Sequence, residues 1–188
     1  MSVVESKLDS VDKLALLYLE CARELGVDAV MGHSLGGLVA IRMGLIDPKV
    51  ASHIVAISPL LGLNISPLTA LTHAIMSKLQ GDSQLPYILD EEVNSPSHKK
   101  SSPTEYLSEH FDSTMRTLQE VRGLAGRVRC NIDLIVAKHE HLVDNAAIIE
   151  FAKNAPHTRI CTVNNSHFYG KSHQFVNSVM YFLTSRAQ

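Results

Sequence analysis

Apolar positions along the chain follow two spacings, one typical of helices and one typical of buried strands. Residues 9–25 carry apolar side chains three or four positions apart, which predicts an amphipathic helix that ends before Gly26. Residues 27–31 and 53–58 are short apolar runs of strand length, and residues 38–43 between them predict a second helix. This order, with nearly unbroken apolar strands, predicts a parallel sheet with helices on both faces.

The middle of the chain departs from this alternation. Residues 66–81 predict a helix with one apolar side, and residues 81–102 are rich in Ser, Pro, Asp and Lys, which predicts an exposed loop. Residues 102–123 predict a further helix that begins with a capping box. We therefore expect a single domain, residues 1–188, with a helical lid inserted at about residues 60–118 over a substrate pocket. Extra core helices are the alternative for this insertion.

The alternation of strands and helices returns in the last third of the chain. Residues 132–137 and 159–163 predict strands, residues 145–154 predict the helix between them, and residues 173–184 predict a terminal helix. The apolar residues expected on the inward side of the terminal helix are Val176, Val179, Met180 and Leu183. The expected fold class is therefore α/β, with the strands in one parallel sheet.

Charge and hydropathy exclude several classes of function. The 188 residues contain 17 Lys and Arg against 19 Asp and Glu, a formal net charge of −2, with no basic cluster beyond Lys99 and Lys100. Nucleic-acid binding needs a concentrated positive surface, so no nucleic-acid partner is expected. Residues 1–10 are polar and no run of about 18 apolar residues occurs, so we expect a cytoplasmic protein without a signal peptide or membrane span. Peripheral contact with a membrane stays open.

Residues 32–37, of sequence GHSLGG, contain a G-x-S-x-G motif between a predicted strand and a predicted helix. A serine in such a turn has a strained backbone, and glycines two residues before and after it remove side chains that would collide there. Because the turn begins a helix, unpaired N–H groups and the positive end of the helix dipole point to where an oxyanion would form. The motif predicts that Ser34 is a nucleophile; a glycine-rich turn with a chance serine is the alternative.

A serine nucleophile needs a base, and a histidine base needs an acid that fixes its tautomer. Of the ten histidines, His167 directly follows the last predicted strand, where the ligand-side residues of an open parallel sheet lie, so it is the candidate base. The loop after the preceding strand offers Glu140 and Asp144 as acids. Asp144 directly precedes a helix and fits an N-cap, which leaves Glu140 as the candidate acid. Ser34, Glu140 and His167 follow the serine-acid-histidine order of enzymes with this motif.

Neither the cysteines nor the paired histidines predict a further site. The three cysteines are far apart in sequence and odd in number, which fits buried free thiols rather than a disulfide framework. His139 and His141 flank an acid, but no matching ligand cluster accompanies them. No metal and no cofactor are therefore expected.

The motif at residues 32–37, the strand and proline at residues 53–59, residues 132–144 and residues 166–168 together resemble the α/β-hydrolase superfamily. The likeness is strongest to its monoglyceride-lipase and lysophospholipase-like members and extends over nearly the whole chain. The residue roles that this resemblance implies are Ser34 as nucleophile, His167 as base, Glu140 as acid where an aspartate is usual, and Leu35 and His33 at the oxyanion and substrate-binding positions, with the Leu35 N–H as one oxyanion donor.

The resemblance implies a serine hydrolase that cleaves carboxylic esters with an apolar acyl group, of monoacylglycerol or lysophospholipid type, through an acyl-serine intermediate. Acyl transfer to an acceptor other than water uses the same three residues. The superfamily's sheet has several strands before the helix that precedes the motif, and here Met1 begins almost at that helix, so the chain resembles the back half of the fold. We therefore expect a weak or inactive hydrolase that self-associates or needs a complementing chain. The alternative function is a catalytically impaired fragment that acts as a ligand-binding or interaction module.

Overall fold

The computed structural model describes residues 10–64 and 111–166, together with residues 176, 177, 180 and 184. The first part contains helix α1 Val11–Leu25, strand β1 Ala29–His33, helix α2 Leu35–Ile46 and strand β2 His53–Ile57. The second part contains helix α3 Phe111–Gly123, a 3-10 turn Ala125–Arg127, strand β3 Asn131–His139, helix α4 Asn145–Asn154 and strand β4 Thr158–Ser166. The predicted alternation of strands and helices is confirmed.

The four strands form one parallel sheet in the order β1-β2-β3-β4. In register, His33 of β1 lies beside Ile57 of β2, which in turn lies beside Ile135 of β3. Parallel strands place their carboxyl ends at the same edge of a sheet. Ser34 and Glu140, which directly follow β1 and β3, therefore lie at the same edge of the sheet, two strands apart. Strand β3 continues four residues beyond Ile135, the level at which β1 ends.

Local signals set the ends of α1 and the start of β1. Ser10 caps α1, since its side chain accepts a hydrogen bond from the N–H of Lys13, and Gly26 ends the helix with a left-handed φ of 65°. The N–H of Val27 still bonds to the carbonyl of Ala22 in α1, at 3.1 Å. Because Val27 belongs to this helix end, β1 begins at Ala29, two residues later than predicted.

The described helices pack over one face of the sheet. Side chains alternate between the two faces along each strand, so Ile54, Ile132 and Leu134 point into the main core with Leu38 and Ile41 of α2. Each such large apolar side chain stabilises the fold by about 1.5–3 kcal/mol when it is fully buried. The buried residues of a smaller cluster on the opposite face are Val55, Ile57, Ile135, Ala137 and Val163.

Parts of the predicted lid and of the terminal helix lie outside the described residues. The helix at residues 66–81, the loop at 81–102 and the capping box are not among them. Helix α3 confirms that the helix predicted at residues 102–123 ends at Gly123. In the terminal helix, the prediction that Val176 and Met180 point inward is wrong, because both are more than half exposed. Residues four apart share one side of a helix, and this side faces solvent. None of the described helices combines the length and apolarity needed to cross a membrane.

Candidate active site

Ser34 has the strained backbone that its motif predicts. Its φ of 54° and ψ of −117° lie outside the regions that residues with a side chain normally adopt. The N–H of Ser34 donates to the carbonyl of Ile57 at 2.9 Å, and the carbonyl of Ser34 accepts from the N–H of Leu60 at 3.0 Å. Strain of this kind persists only where the surroundings hold it. Here the end of β2 holds the N–H of the turn, and the segment that follows β2 holds its carbonyl.

Two glycines of the motif are sterically required, Gly32 and Gly37, whereas the sequence predicted Gly32 and Gly36. A side chain at Gly32 would overlap the backbone of Gly36, as expected. A side chain at Gly36 would meet nothing within 4 Å, so the prediction that this glycine avoids a collision is wrong. Gly37 is the second constrained position, because a Cβ there would lie 2.9 Å from the Cα of Pro59. Close packing of α2 against Pro59, two residues after the end of β2, requires this glycine.

The start of α2 offers a hydrogen-bond donor beside Ser34. The carbonyl of Ser34 accepts from the N–H groups of Gly37 and Leu38, at 3.0 and 3.2 Å, while its hydroxyl makes no capping bond to the helix. Within the described part of the chain, the N–H of Leu35 has no backbone acceptor. The first N–H groups of a helix attract negative charge. The geometry at Leu35 is therefore compatible with its predicted role as an oxyanion donor.

Glu140 and Asp144 have the separate environments that the sequence predicts. Asp144 is the N-cap of α4, where its Oδ1 accepts from the N–H of Ala146 at 2.8 Å. The carboxylate of Glu140 is almost fully buried and turns back onto its own loop. Its Oε1 accepts the three N–H groups of His141, Leu142 and Val143, at 3.0, 2.9 and 3.2 Å. Asp144 thus has a structural task at the helix, and the Oε1 of Glu140 is held by backbone donors of its own loop.

The histidines near the carboxyl-terminal edge of the sheet differ in exposure and in hydrogen-bond partners. His33 is the last residue of β1 and is exposed, and His167 lies outside the described residues. The Nε2 of His139 lies 3.0 Å from the Oδ1 of Asn164. Within residues 10–64 and 111–166, no group of three His, Cys, Asp or Glu side chains could hold a metal ion.

Burial raises the pKa of the Cys161 thiol, which disfavours the nucleophilic thiolate.

A second buried carboxylate, Asp133, lies nearer the amino-terminal ends of the strands. Its Oδ2 is 2.8 Å from the Nε2 of His53, and it forms a two-bond ion pair with Arg159 at 2.8 and 3.0 Å. These bonds raise the pKa of Arg159 above its ordinary value, against a smaller lowering from burial. The sequence analysis did not identify this cluster. Its only signal is a single carboxylate within the apolar run of residues 132–137.

A strained serine between a parallel strand and a helix, with a carboxylate after the next strand but one, is the arrangement of an α/β-hydrolase. The chain has this fold. The model of the family described as serine aminopeptidase, S33, matches residues 14–177, so the chain belongs to this family of hydrolases. Among curated proteins, no match to the sequence was found.

Solved structures share the fold at low sequence identity. A monoacylglycerol lipase of Paleococcus ferrophilus is 19% identical, with a TM-score of 0.67 over 94% of this chain and 76% of that one. A carboxylesterase of the Thaumarchaeon Nitrososphaera gargenis is 16% identical, with a TM-score of 0.65 over 96% and 74% of the two chains. A hydrolase of Pseudomonas aeruginosa is 16% identical, with a TM-score of 0.59 over 93% and 72%.

Proposed function

We propose that this hydrolase cleaves carboxylic esters with an apolar acyl group, of monoacylglycerol or lysophospholipid type, through an acyl-serine intermediate. The observation that carries the proposal is the strained backbone of Ser34 at the start of α2, beside the N–H of Leu35. The likeness in fold to a monoacylglycerol lipase and a carboxylesterase supports the choice of ester and acyl group. The reaction needs no cofactor.

In the proposed mechanism, the Oγ of Ser34 attacks the ester carbonyl while His167 takes its proton. The N–H of Leu35 donates to the oxyanion that forms, as a preorganised dipole that needs no reorganisation during the reaction. When the carbonyl re-forms, the bond to the alcohol breaks and His167 returns the proton to the leaving oxygen. Water then attacks the acyl-serine with the same proton transfers and releases the acid. Glu140 orients His167 throughout.

A fluorophosphonate probe tests the nucleophile directly, because it reacts only with an activated serine. We expect the probe to label Ser34, and Ser34→Ala to lose both labelling and p-nitrophenyl ester hydrolysis, by roughly 10⁶-fold in turnover. The fold should remain intact, since alanine fits the same backbone. Peptide mass spectrometry locates the label, and circular dichroism checks the fold.

The matched control is Ser52→Ala. Ser52 donates its hydroxyl to the carbonyl of Asp28 at 3.2 Å, near the opposite end of β1 from Ser34, so its loss should leave labelling unchanged. Labelling that persists at another serine in Ser34→Ala would contradict the assignment. Faster cleavage of an aminoacyl p-nitroanilide than of the p-nitrophenyl ester would contradict the choice of ester, in favour of the amide substrates that the family description names.

The second candidate function is an interaction module, and the exposed edge of β1 favours it. The carbonyl of Asp28 and the N–H of Ser34 bond to β2. Because alternate residues of a strand direct their backbone groups to opposite sides, those of Ala29 and Met31 point to the open side. Among the described residues, no strand pairs with that side. Met31 is also 57% exposed. An exposed apolar edge strand readily pairs with a further strand.

We therefore expect the isolated chain to self-associate through β1 of a second copy and to be a weak hydrolase. Met31→Lys should shift the chain towards monomer in sedimentation velocity, because a charged side chain on an edge opposes strand pairing. The control is Ile149→Lys, which adds the same charge at another exposed apolar position, on α4. A monodisperse wild-type monomer, or equal effects of the two substitutions, would contradict self-association through β1.

A further inference from the structure

One loop connects the turn at Ser34 with the loop that carries Glu140. We call residues 59–64, which follow β2, the bridging loop, and residues 140–144 the acid loop. The N–H of Leu60 in the bridging loop donates to the carbonyl of Ser34 at 3.0 Å. Four residues later, Asn64 donates its backbone N–H to the carbonyl of Leu142 at 3.1 Å and its side-chain Nδ2 to the carbonyl of Val143 at 2.9 Å. The bridging loop therefore fixes both loops relative to each other.

The backbone bond from Asn64 acts on the same peptide group that holds the Glu140 carboxylate. The carbonyl of Leu142 and the N–H of Val143 belong to one planar peptide group. Asn64 bonds its carbonyl end, and the Oε1 of Glu140 accepts from its N–H end at 3.2 Å. Rotation of this peptide group would break one of the two bonds. Each bond also polarises the group and strengthens the other.

The side-chain bond from Asn64 fixes the next peptide group in the same way. Its Nδ2 holds the carbonyl of Val143, while the N–H of Asp144, at the other end of that peptide group, donates to the carbonyl of Gly62 at 3.0 Å. The two loops approach closely here, since a Cβ at Gly62 would lie 3.0 Å from the Cβ of Asp144. Two consecutive peptide groups of the acid loop are thus bonded at both ends.

We propose that Asn64 is a positioning residue for the catalytic acid. Its side-chain amide holds the acid loop in the one conformation in which three N–H groups converge on Oε1 of Glu140, and so sets the direction of the carboxylate relative to Ser34. The inference rests on the proposed function, in which Glu140 orients His167. Asn64 acts through the acid loop, which its bonds to Leu142 and Val143 hold.

The test removes the side-chain amide of Asn64 and keeps its backbone bond. In Asn64→Ala, we expect the rate of Ser34 labelling by a fluorophosphonate, and kcat for a p-nitrophenyl ester, to fall about 10- to 100-fold with KM unchanged, because small misplacements of catalytic groups cost this much. Asn64→Asp keeps the size of the side chain but lacks the donor, so it should lose as much. The matched control is Asn154→Ala, which removes another exposed Asn Nδ2 bond to a carbonyl, that of Glu150, also at 2.9 Å.

A double-mutant cycle with Glu140→Gln separates positioning from general destabilisation. If Asn64 acts through Glu140, Asn64→Ala should cost little once Glu140 is already substituted. An equal loss in both backgrounds overturns the proposal, and so does labelling of Asn64→Ala at the rate of Asn154→Ala. The proposal is supported if Asn64→Ala lowers the labelling rate and kcat strongly with Glu140 intact and only slightly in Glu140→Gln.

Hydrogen exchange keeps the inference distinct from the proposed function. If the probe does not label even the wild-type chain, the proposed function fails, and amide exchange at Leu142 and Val143 then decides whether Asn64 holds the acid loop. Faster exchange at these two amides in Asn64→Ala than in Asn154→Ala supports the positioning role of Asn64. Equal exchange in the two variants overturns it.

Discussion

Strand β3 carries two buried carboxylates, Asp133 within the strand and Glu140 just beyond its end, and they are held in opposite ways. Both oxygens of Asp133 take bonds from side chains of neighbouring strands, the guanidinium of Arg159 and the ring of His53. Glu140 instead accepts backbone N–H groups of its own loop, three of them on Oε1. Asp133 therefore crosslinks three strands, while Glu140 is oriented by the loop around it.

The difference teaches that burial alone does not identify an active carboxylate. An arginine that binds both oxygens neutralises the carboxylate and fixes it to the sheet. The three backbone donors of Glu140 hold its Oε1 and carry no formal charge. We expect the first arrangement to contribute to stability and the second to chemistry. Substitutions at the two positions should then change different measured quantities.

Of the two carboxylates, Glu140 is expected to show the larger effect, in Glu140→Gln. The glutamine oxygen can still accept the three loop N–H groups, so the loop is kept. The negative charge that orients His167 in the proposed mechanism is lost. Loss of the orienting acid lowers turnover by roughly 10⁴-fold in enzymes with this arrangement. We expect a fall of that size in kcat for a p-nitrophenyl ester and in the rate of fluorophosphonate labelling, with little change in the free energy of unfolding.

Asp144→Asn is the control for this substitution. Asparagine caps a helix about as well as aspartate, so the bond to Ala146 and the start of α4 should persist. Turnover should stay close to that of the wild type. If Asp144→Asn lost more activity than Glu140→Gln, Asp144 would be the acid, and the separation of the two roles would be wrong.

The fold could be predicted from the sequence because its signals are local. Apolar spacing and caps give α4 with the observed bounds, and the glycine after α1 gives the end of that helix. The G-x-S-x-G motif gives the strained turn at Ser34, because the strain arises from the few residues around it. The N-cap role of Asp144 was predictable for the same reason.

The features that could not be predicted from the sequence depend on contacts between residues that are distant along the chain. Whether Gly36 or Gly37 is needed depends on how close Pro59 comes to α2. The ion pairs of Asp133 depend on the register of three strands, and a shift by one residue would move each side chain to the other face. The side-chain bond from Asn64 to Val143 in the acid loop joins residues that lie 79 positions apart in sequence. No periodicity or local motif encodes such pairs.

The smaller effect is expected for Asp133→Asn, and it should fall on stability rather than on chemistry. The substitution keeps the shape of the side chain but leaves the charge of Arg159 without its partner in a partly buried position. Breaking a buried ion pair costs about 3–5 kcal/mol. We expect the free energy of unfolding in urea to fall by about 3 kcal/mol, at the lower end of this range. The reason is that Arg159 and His53 keep 30% and 27% of their side-chain surface exposed to water.

The control for Asp133→Asn is Glu150→Gln, which removes a carboxylate from the exposed pair with Arg122, of similar length at 2.9 Å. Exposed pairs contribute about 0–1 kcal/mol, so this variant should unfold close to the wild type. Labelling of Ser34 in Asp133→Asn, measured per folded molecule, should match the wild type, because the cluster lies nearer the other end of the strands. A slower rate of labelling in the folded Asp133→Asn protein would show that the two carboxylates of β3 are coupled, and the contrast between a structural and a chemical carboxylate would then fail.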